Sequence, residues 1–355
     1  MKLAFTGGVA EYYGITIFNY LLTIITLGIW APWAKVRKLR YFYGHTELLD
    51  EEFAFLATGK QLFIGRIVAF IILIGLALFE LVPYVGPVLG VLVIILGVPF
   101  VINRSIGFTA RHIAWRDVRF NWHGTFGGAF VVLILWPFVS LITLGLAQPL
   151  SARAMRRFFA DNHAFGEAEF SADLPLGAFY GALLKSVTFF LFLTILFSAG
   201  LGVISYAVLA ESVIADASSY SEILLLYGLL DETQQGALFL PLFGVILASY
   251  MAGSYYMALT RHIMVDLLRL AGGIRFRSSL SAFRFAMIIF TNLLLNIITL
   301  GFAQPYTAVR RYRYLVTSIE VRPIADMRGF IDHQQKSSSS IFEEASDIEG
   351  LSIDI

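Results

Sequence analysis

The quartet Ile25-Thr26-Leu27-Gly28 returns as Ile142-Thr143-Leu144-Gly145 and again as Ile298-Thr299-Leu300-Gly301. Counted from the threonine, a proline follows six residues on in each copy (Pro32, Pro149, Pro305), and a basic–aromatic pair at fourteen and fifteen (Arg40-Tyr41, Arg157-Phe158, Arg313-Tyr314). Four residues recur by chance; three copies with matched downstream spacing do not. An internal repeat constrains a fold more than any single motif, because one supersecondary unit must be built three times. The chemistry within each copy is also legible. Glycine tolerates a helix-exit conformation and proline disfavours helix at the residue before it, so the quartet should end an apolar helix. The basic residues then fall about two turns on, where a second short helix can lie along anionic headgroups.

Each quartet closes an apolar segment, at residues 13–31, 127–147 and 283–303. Four further segments, 62–81, 84–102, 183–209 and 238–259, reach the roughly 20 apolar residues that a spanning helix needs. Of 355 residues, 58% are hydrophobic and 14% charged, against about 25% charged in a soluble domain. The chain therefore reads as an all-α polytopic membrane protein. Four helices span, three repeat segments are re-entrant or spanning (four to seven spans in total), and short cytoplasmic β-strands complete it. Alternating runs at 2–5, 52–55, 113–120, 169–172, 274–277 and 318–322 supply those strands, as small hairpins or a shared sheet. In order, the chain divides into repeat copies at 1–60, 104–176 and 261–333, helical hairpins at 61–103 and 177–260, and a disordered tail at 334–355.

Charge placement bears on the repeat segments. Lys and Arg gather on cytoplasmic flanks, and the flanks free of both are the turn at 83–86 and the acidic loop 211–236. If all three repeat segments span, 16 basic residues fall inside and 10 outside; if each enters and leaves on one side, all 26 lie inside. Backbone chemistry opposes that preference, since bent chain at membrane depth needs protein or water to satisfy its polar groups. Pro137 offers a break in the second copy, and the first and third copies offer only asparagines. Both arrangements stay open.

No cysteine is present, which excludes disulfides, zinc-thiolate and iron–sulfur sites and cysteine nucleophiles. There is no glycine-rich phosphate loop, no His-Glu-x-x-His helix and no serine nucleophile elbow; no catalytic residue, metal site or cofactor is expected. Polar groups inside apolar segments are the pathway candidates. They are Asn19, Asn292 and Asn296, the last two sharing one helix face, with His112 and His262 in the echoed stretches Thr109-Ala110-Arg111-His112 and Thr260-Arg261-His262. The basic residues Lys35, Arg37, Lys38, Arg40, Arg156, Arg157, Arg310, Arg311 and Arg313 are candidates for anionic-lipid contact, with orientation as their simpler role. Membrane lipids are the expected partners and nucleic acid is not.

The run from Asn19 through Ile25-Thr26-Leu27-Gly28-Ile29-Trp30-Ala31-Pro32-Trp33-Ala34-Lys35-Val36-Arg37 resembles the YjgN family of bacterial inner-membrane proteins. The stretch Gly145-Leu146-Ala147-Gln148-Pro149 does so too, as does the Arg-Tyr segment ending at Tyr41. The resemblance implies a multi-pass protein of the bacterial inner membrane and carries over no catalytic residue. Copy three departs from it in lacking a counterpart of Phe53-Ala54-Phe55. Three function classes remain: a transporter or channel for a small solute or ion, a lipid-interacting or scaffold protein of the inner leaflet, and, with no motif in its favour, a membrane enzyme.

Overall fold

The computed structural model describes residues 1–79, 85–209, 239–322 and 329–336. Pro83 and the acidic loop 211–236 lie outside the described residues. Ten strands alternate with paired helices. The strands are β1 (Ala4–Phe5), β2 (Thr46–Leu48), β3 (Glu51–Phe55), β4 (Ile113–Trp115), β5 (Val118–Trp122), β6 (His163–Phe165), β7 (Ala168–Ala172), β8 (Leu268–Leu270), β9 (Ile274–Ser278) and β10 (Ile319–Arg322). Between β1 and β2 run α1 (Val9–Ile25) and α2 (Ala31–Gly44); between β3 and β4, α3 (Gly59–Phe79) and α4 (Val85–Arg111). The pattern continues with α5 (Phe126–Ile142) and α6 (Gln148–Asp161), α7 (Leu176–Leu209) and α8 (Leu240–Leu267), then α9 (Ala282–Ile298) and α10 (Gln304–Thr317). Residues 329–336 form a last helix, α11.

Each strand pairs antiparallel with its neighbours in sequence, in the order β1 to β10. The ring then closes. Lys2 bridges Glu320, Met1 and Val321 exchange backbone hydrogen bonds, and Leu3 N–H donates to the Ile319 carbonyl at 3.1 Å. The result is a closed ten-stranded barrel of very short strands. Two-residue turns join β2 to β3 and β4 to β5, with Leu49, Asp50, Arg116 and Asp117 all at positive φ, the backbone that matches the strand twist. Glycines take that conformation in the next two turns (Gly166; Gly272 and Gly273). Because adjacent strands are antiparallel, every helix pair leaves the barrel and returns to it at the end opposite these turns.

This architecture corrects the expected strands. The six runs are present, but 113–120 is a hairpin rather than one strand, and β2, β6 and β8 lie outside the six. Three residues each, they are too short for alternation to register. Of the expected tail at 334–355, residues 334–336 are described: they are helical, and Gln334 is buried.

The described chain forms two compact units. Residues 1–179, 260–280 and 295–355 include the barrel and the first three helix pairs. Residues 180–259 and 281–294 form the second unit, in which Leu193, Ala248 and Met251 pack with Phe189, Phe190, Phe197 and Phe290. There Ser186 Oγ donates to the Ala252 carbonyl at 2.8 Å, holding α7 against α8. Among the described residues, three helices are long and apolar enough to cross a membrane: Gly86–Arg111, Leu176–Tyr206 and Leu240–Leu267. The expected segment 62–81 lies in the 21-residue α3 as far as Phe79.

Pro137 does not break its segment. A π-helical turn at Val131–Leu135 precedes it, and the helix resumes at Trp136–Ile142. The wider turn accommodates the proline ring and its missing N–H.

Candidate functional site: hairpin tips, basic arms and an apolar lumen

The repeated quartet builds one turn three times. Leu27, Leu144 and Leu300 adopt φ of 49°, 51° and 49°, and Gly28, Gly145 and Gly301 adopt 92°, 87° and 87°. Each glycine N–H reaches back to the carbonyl five residues earlier, at Thr23, Ser140 and Asn296, at 2.7 Å in all three copies. That bond, with the leucine N–H to the carbonyl three back, is a Schellman helix stop. The threonine serves both helices. Its hydroxyl donates to the carbonyl four residues before (Leu22, Val139, Leu295) and accepts the N–H four residues after (Trp30, Ala147, Ala303). The proline then sits at the start of the second helix, where no N–H is needed.

A left-handed leucine costs about 1–2 kcal/mol relative to glycine, yet all three copies have leucine there. Its side chain stands at the tip, 94% exposed at Leu27, 94% at Leu144 and 87% at Leu300. Ile24, Ile25, Leu141, Ile142, Ile298 and Phe302 extend the exposed apolar surface around it.

The second helices carry the basic residues, and part of that charge is committed to structure. Arg40 Nη2 donates to the Ala57 carbonyl (2.8 Å), Arg153 Nε to Leu174 (2.6 Å) and Arg313 Nη2 to Gly7 (2.8 Å). All three acceptors stand two residues past the end of a strand, so the arginines latch the return arm to the neighbouring strand-to-helix link. Asn103 Nδ2 does the same for Gly124 (2.8 Å), and its Oδ1 accepts from Trp122 Nε1. Arg156 Nη2 donates to Thr260 Oγ1 at 3.2 Å, and Arg157 pairs with Asp161 at 3.0 Å. Arg37 stands over the rings of Phe18 and Trp30, 5.0 and 5.3 Å from their centroids. Lys35 and Arg311 are exposed and Arg310 half-buried; Lys38 is exposed overall while its ammonium is partly enclosed by neighbouring atoms. Burial, and then the neighbouring Arg311 charge, draw the Lys38 ammonium below the usual lysine range. The basic arms of copies one and three therefore lie near enough for their charges to repel.

The barrel interior is wholly apolar. The third residue of each even strand points inward: Leu48, Trp115, Phe165, Leu270 and Val321, all buried. The central residue of each long odd strand does likewise. Phe53, Phe120, Phe170 and Phe276 form an arc with successive ring centroids 6.4, 6.4 and 5.9 Å apart, and Leu3 completes the layer. At the turn end, α11 covers the interior with Phe330 and Ile331. It is fastened by Gln334 Oε1, which accepts from Glu167 N–H at 2.8 Å, and by Gln335 Nε2, which donates to the Arg116 carbonyl at 2.7 Å. A cavity of about 190 Å³ remains between plug and rings. The buried ring lies toward the plug and the half-buried phenylalanines toward the helix-bearing end.

The sequence profile of a family described as "Bacterial protein of unknown function (DUF898)" matches residues 1–348. The chain belongs to this family. Among its relatives, inner membrane protein YjgN of Salmonella typhimurium (strain LT2) is 27% identical, over 90% of this chain and 88% of its own length. Inner membrane protein YjgN of Escherichia coli (strain K12) is 30% identical, over 43% of this chain and 39% of its own length. No solved structure matches. The chain is thus an inner-membrane protein of the YjgN family, as its repeat suggested.

Within this family member, the pathway candidates do not assemble into one site. Asn19 and Asn292 hold the same repeat position and both are buried. Asn19 Oδ1 accepts from Trp30 Nε1 at 3.3 Å and so clasps its own hairpin. Asn296 Nδ2 donates to Thr307 Oγ1 at 3.3 Å, again within its own hairpin, and its Oδ1 finds no partner among the described residues. His112 and His262, echoed in sequence, are not equivalent in the fold. His112 follows the end of α4 and directly precedes β4, its Nδ1 donating to the Phe108 carbonyl at 2.7 Å. His262 lies within α8, six residues before β8. The helix simply continues past the second echo, so the shared residues fall at different heights. The sequence signal for the inward phenylalanines is slight: Phe53-Ala54-Phe55 and Phe120-Asn121-Trp122 repeat an aromatic at every second residue.

Proposed function

We propose that this protein is a lipid-interacting protein of the inner leaflet, with its barrel on the cytoplasmic face, α3, α4, α7 and α8 spanning and the three short hairpins half-inserted. One observation carries this reading: the apolar tips belong to hairpins whose two arms return to adjacent strands of one barrel. A helix pair that starts and ends on one side cannot cross once. The distance between tip and charge fits as well. Lys35 lies eight residues beyond Leu27, Arg153 nine beyond Leu144 and Arg310 ten beyond Leu300. At 1.5 Å per residue these charges stand roughly 12–15 Å from the tip, about half of a 30 Å hydrocarbon core. A tip driven that far leaves the basic residues at the headgroups, where anionic lipid attracts them. With the barrel inside, its basic arms obey the positive-inside bias.

The transport reading gains nothing from the barrel, whose lumen is apolar and covered by Phe330 and Ile331, or from Asn19 and Asn296, which bond within their own hairpins.

The test exploits the absence of native cysteine. Single cysteines at Asp50, Asp117, Glu167 and Ala271 stand at four barrel turns, and all should react with an impermeant maleimide from the cytoplasmic side alone. Cysteine at Leu27, Leu144 or Leu300 should be protected from both sides. Turn positions that label from opposite sides overturn the proposal.

A further inference from the structure

We propose that the barrel lumen is a binding site for one acyl chain, entering from the helix-bearing end. The inference rests on the inner-leaflet placement above, which sets that end against lipid. Barrels of about eight strands have interiors that side chains just fill. Ten strands enclose more, and the two inward layers of five residues leave about 190 Å³ empty. Apolar cavities of about 150 Å³ stay dry and bind benzene, so this one has room for the last several carbons of a chain. Its lining offers no partner to a headgroup, a sugar or an ion. The recognisable chemistry is therefore hydrocarbon alone, flexible enough to pass between phenylalanine rings.

A route leads in. A second volume of about 460 Å³ lies beneath the mouth, between Tyr43 of α2, Ile106 of α4 and Phe159 of α6. It shares Phe53 and Phe120 with the lumen. A chain rising along these helices meets a mostly apolar wall, interrupted by Ser105, Thr109 and His163, before the wholly apolar lumen that ends at Phe330 and Ile331. The plug gives the site a floor, held by two glutamine side chains rather than by apolar packing alone. Hydrocarbon reaches this mouth from two sources, a phospholipid of the leaflet or a free fatty acid, and the lumen reads only the part they share.

The experiment uses the full-length protein in nanodiscs of phosphatidylethanolamine and phosphatidylglycerol. One arm contains phosphatidylethanolamine bearing a terminal diazirine on one palmitoyl chain, the other arm the equivalent diazirine fatty acid. After irradiation, peptide mass spectrometry should find adducts at Phe120, Phe165, Phe170 or Leu270 in at least one arm, and the labelled arm identifies the source. Leu270→Trp, which fills the cavity, should reduce barrel adducts at least tenfold and leave adducts on α7 and α8 unchanged. Val321→Phe provides an independent filled lumen should the first variant fail to elute as a monodisperse species. Adducts confined to helices in both arms, or barrel adducts undiminished in a well-folded filled variant, overturn the assignment. The cysteine accessibilities above report on barrel placement separately, so a dry lumen in a correctly placed barrel condemns this inference and not the other.

Discussion

Lys2 Nζ lies 3.2 Å from Glu320 Oε1, across the seam where the first strand meets the last. The ion pair is partly exposed, and such pairs contribute about 0–1 kcal/mol. The backbone bonds beside it matter more. Removal of residues 1–3 deletes the Met1–Val321 exchange, the Leu3 bond and one inward side chain, at about 1 kcal/mol per hydrogen bond. Lys2→Ala should therefore leave the thermal midpoint in detergent within a degree or two, whereas the deletion should lower it by many degrees. Equal effects would show that the ring is not closed through its backbone.

The repeated threonine should be worth more than its apolar isostere. Thr26→Val, Thr143→Val and Thr299→Val each strip an acceptor from a helix-start N–H and a donor from a helix-end carbonyl. Each should cost about 1–3 kcal/mol, read from chemical unfolding in detergent. Gly145→Ala, at φ 87°, should cost about 1–2 kcal/mol through strain alone.

Latching and exposed charges should separate experimentally. Arg153→Ala removes a 2.6 Å bond to the Leu174 carbonyl and should lower stability by about 1–3 kcal/mol without altering lipid selectivity. Lys35→Glu with Arg311→Glu, both exposed, should instead reduce phosphatidylglycerol retained through purification, as counted by native mass spectrometry, with little change in unfolding midpoint. Retention unaffected by the charge reversal would leave orientation as the only role of those residues.

His163 sets an acid limit on the barrel. Burial pushes its imidazole below the ordinary value of 6.5, outweighing the bond to the Phe159 carbonyl that pulls upward. A base with a depressed folded pKa binds fewer protons folded than unfolded, so its penalty is absent above 6.5 and grows as pH falls below it. Thermal midpoints should decline from pH 7 toward pH 5, and His163→Gln, which does not titrate, should flatten the decline.

The plug should be the first described element to open. Gln334→Ala leaves the Glu167 N–H without its acceptor and should raise amide exchange across 329–336 several-fold, while β5 and β7 stay protected.

Much of this was legible in the sequence because it is written in long-range periodicity. The quartets mark the three tips, and the threonine, glycine and proline each have one physical duty there. The barrel was not legible as a whole. Three-residue strands such as Thr46–Leu48 and Leu268–Leu270 are too brief for alternation to show, and ring closure between residues 2 and 320 depends on contacts no local pattern encodes. The His112–His262 echo misled for a related reason. Likeness in sequence fixes neither where a helix ends nor the height of a residue upon it. Asn19 and Asn296 looked like pathway residues because polarity in an apolar run has two uses, and clasping a hairpin is the one that leaves no separate trace.

The seam between the first and last strands also dictates an order of assembly. Until residue 322 has left the ribosome, the nascent protein holds nine strands with two raw edges and an uncovered greasy interior, the combination that invites misassociation. Each helix pair is tied at both ends to strands that await their neighbours, so under the proposed placement the pairs insert before the ring can close. Closure of the barrel is thus a last event, which waits on the arrival of the closing segment.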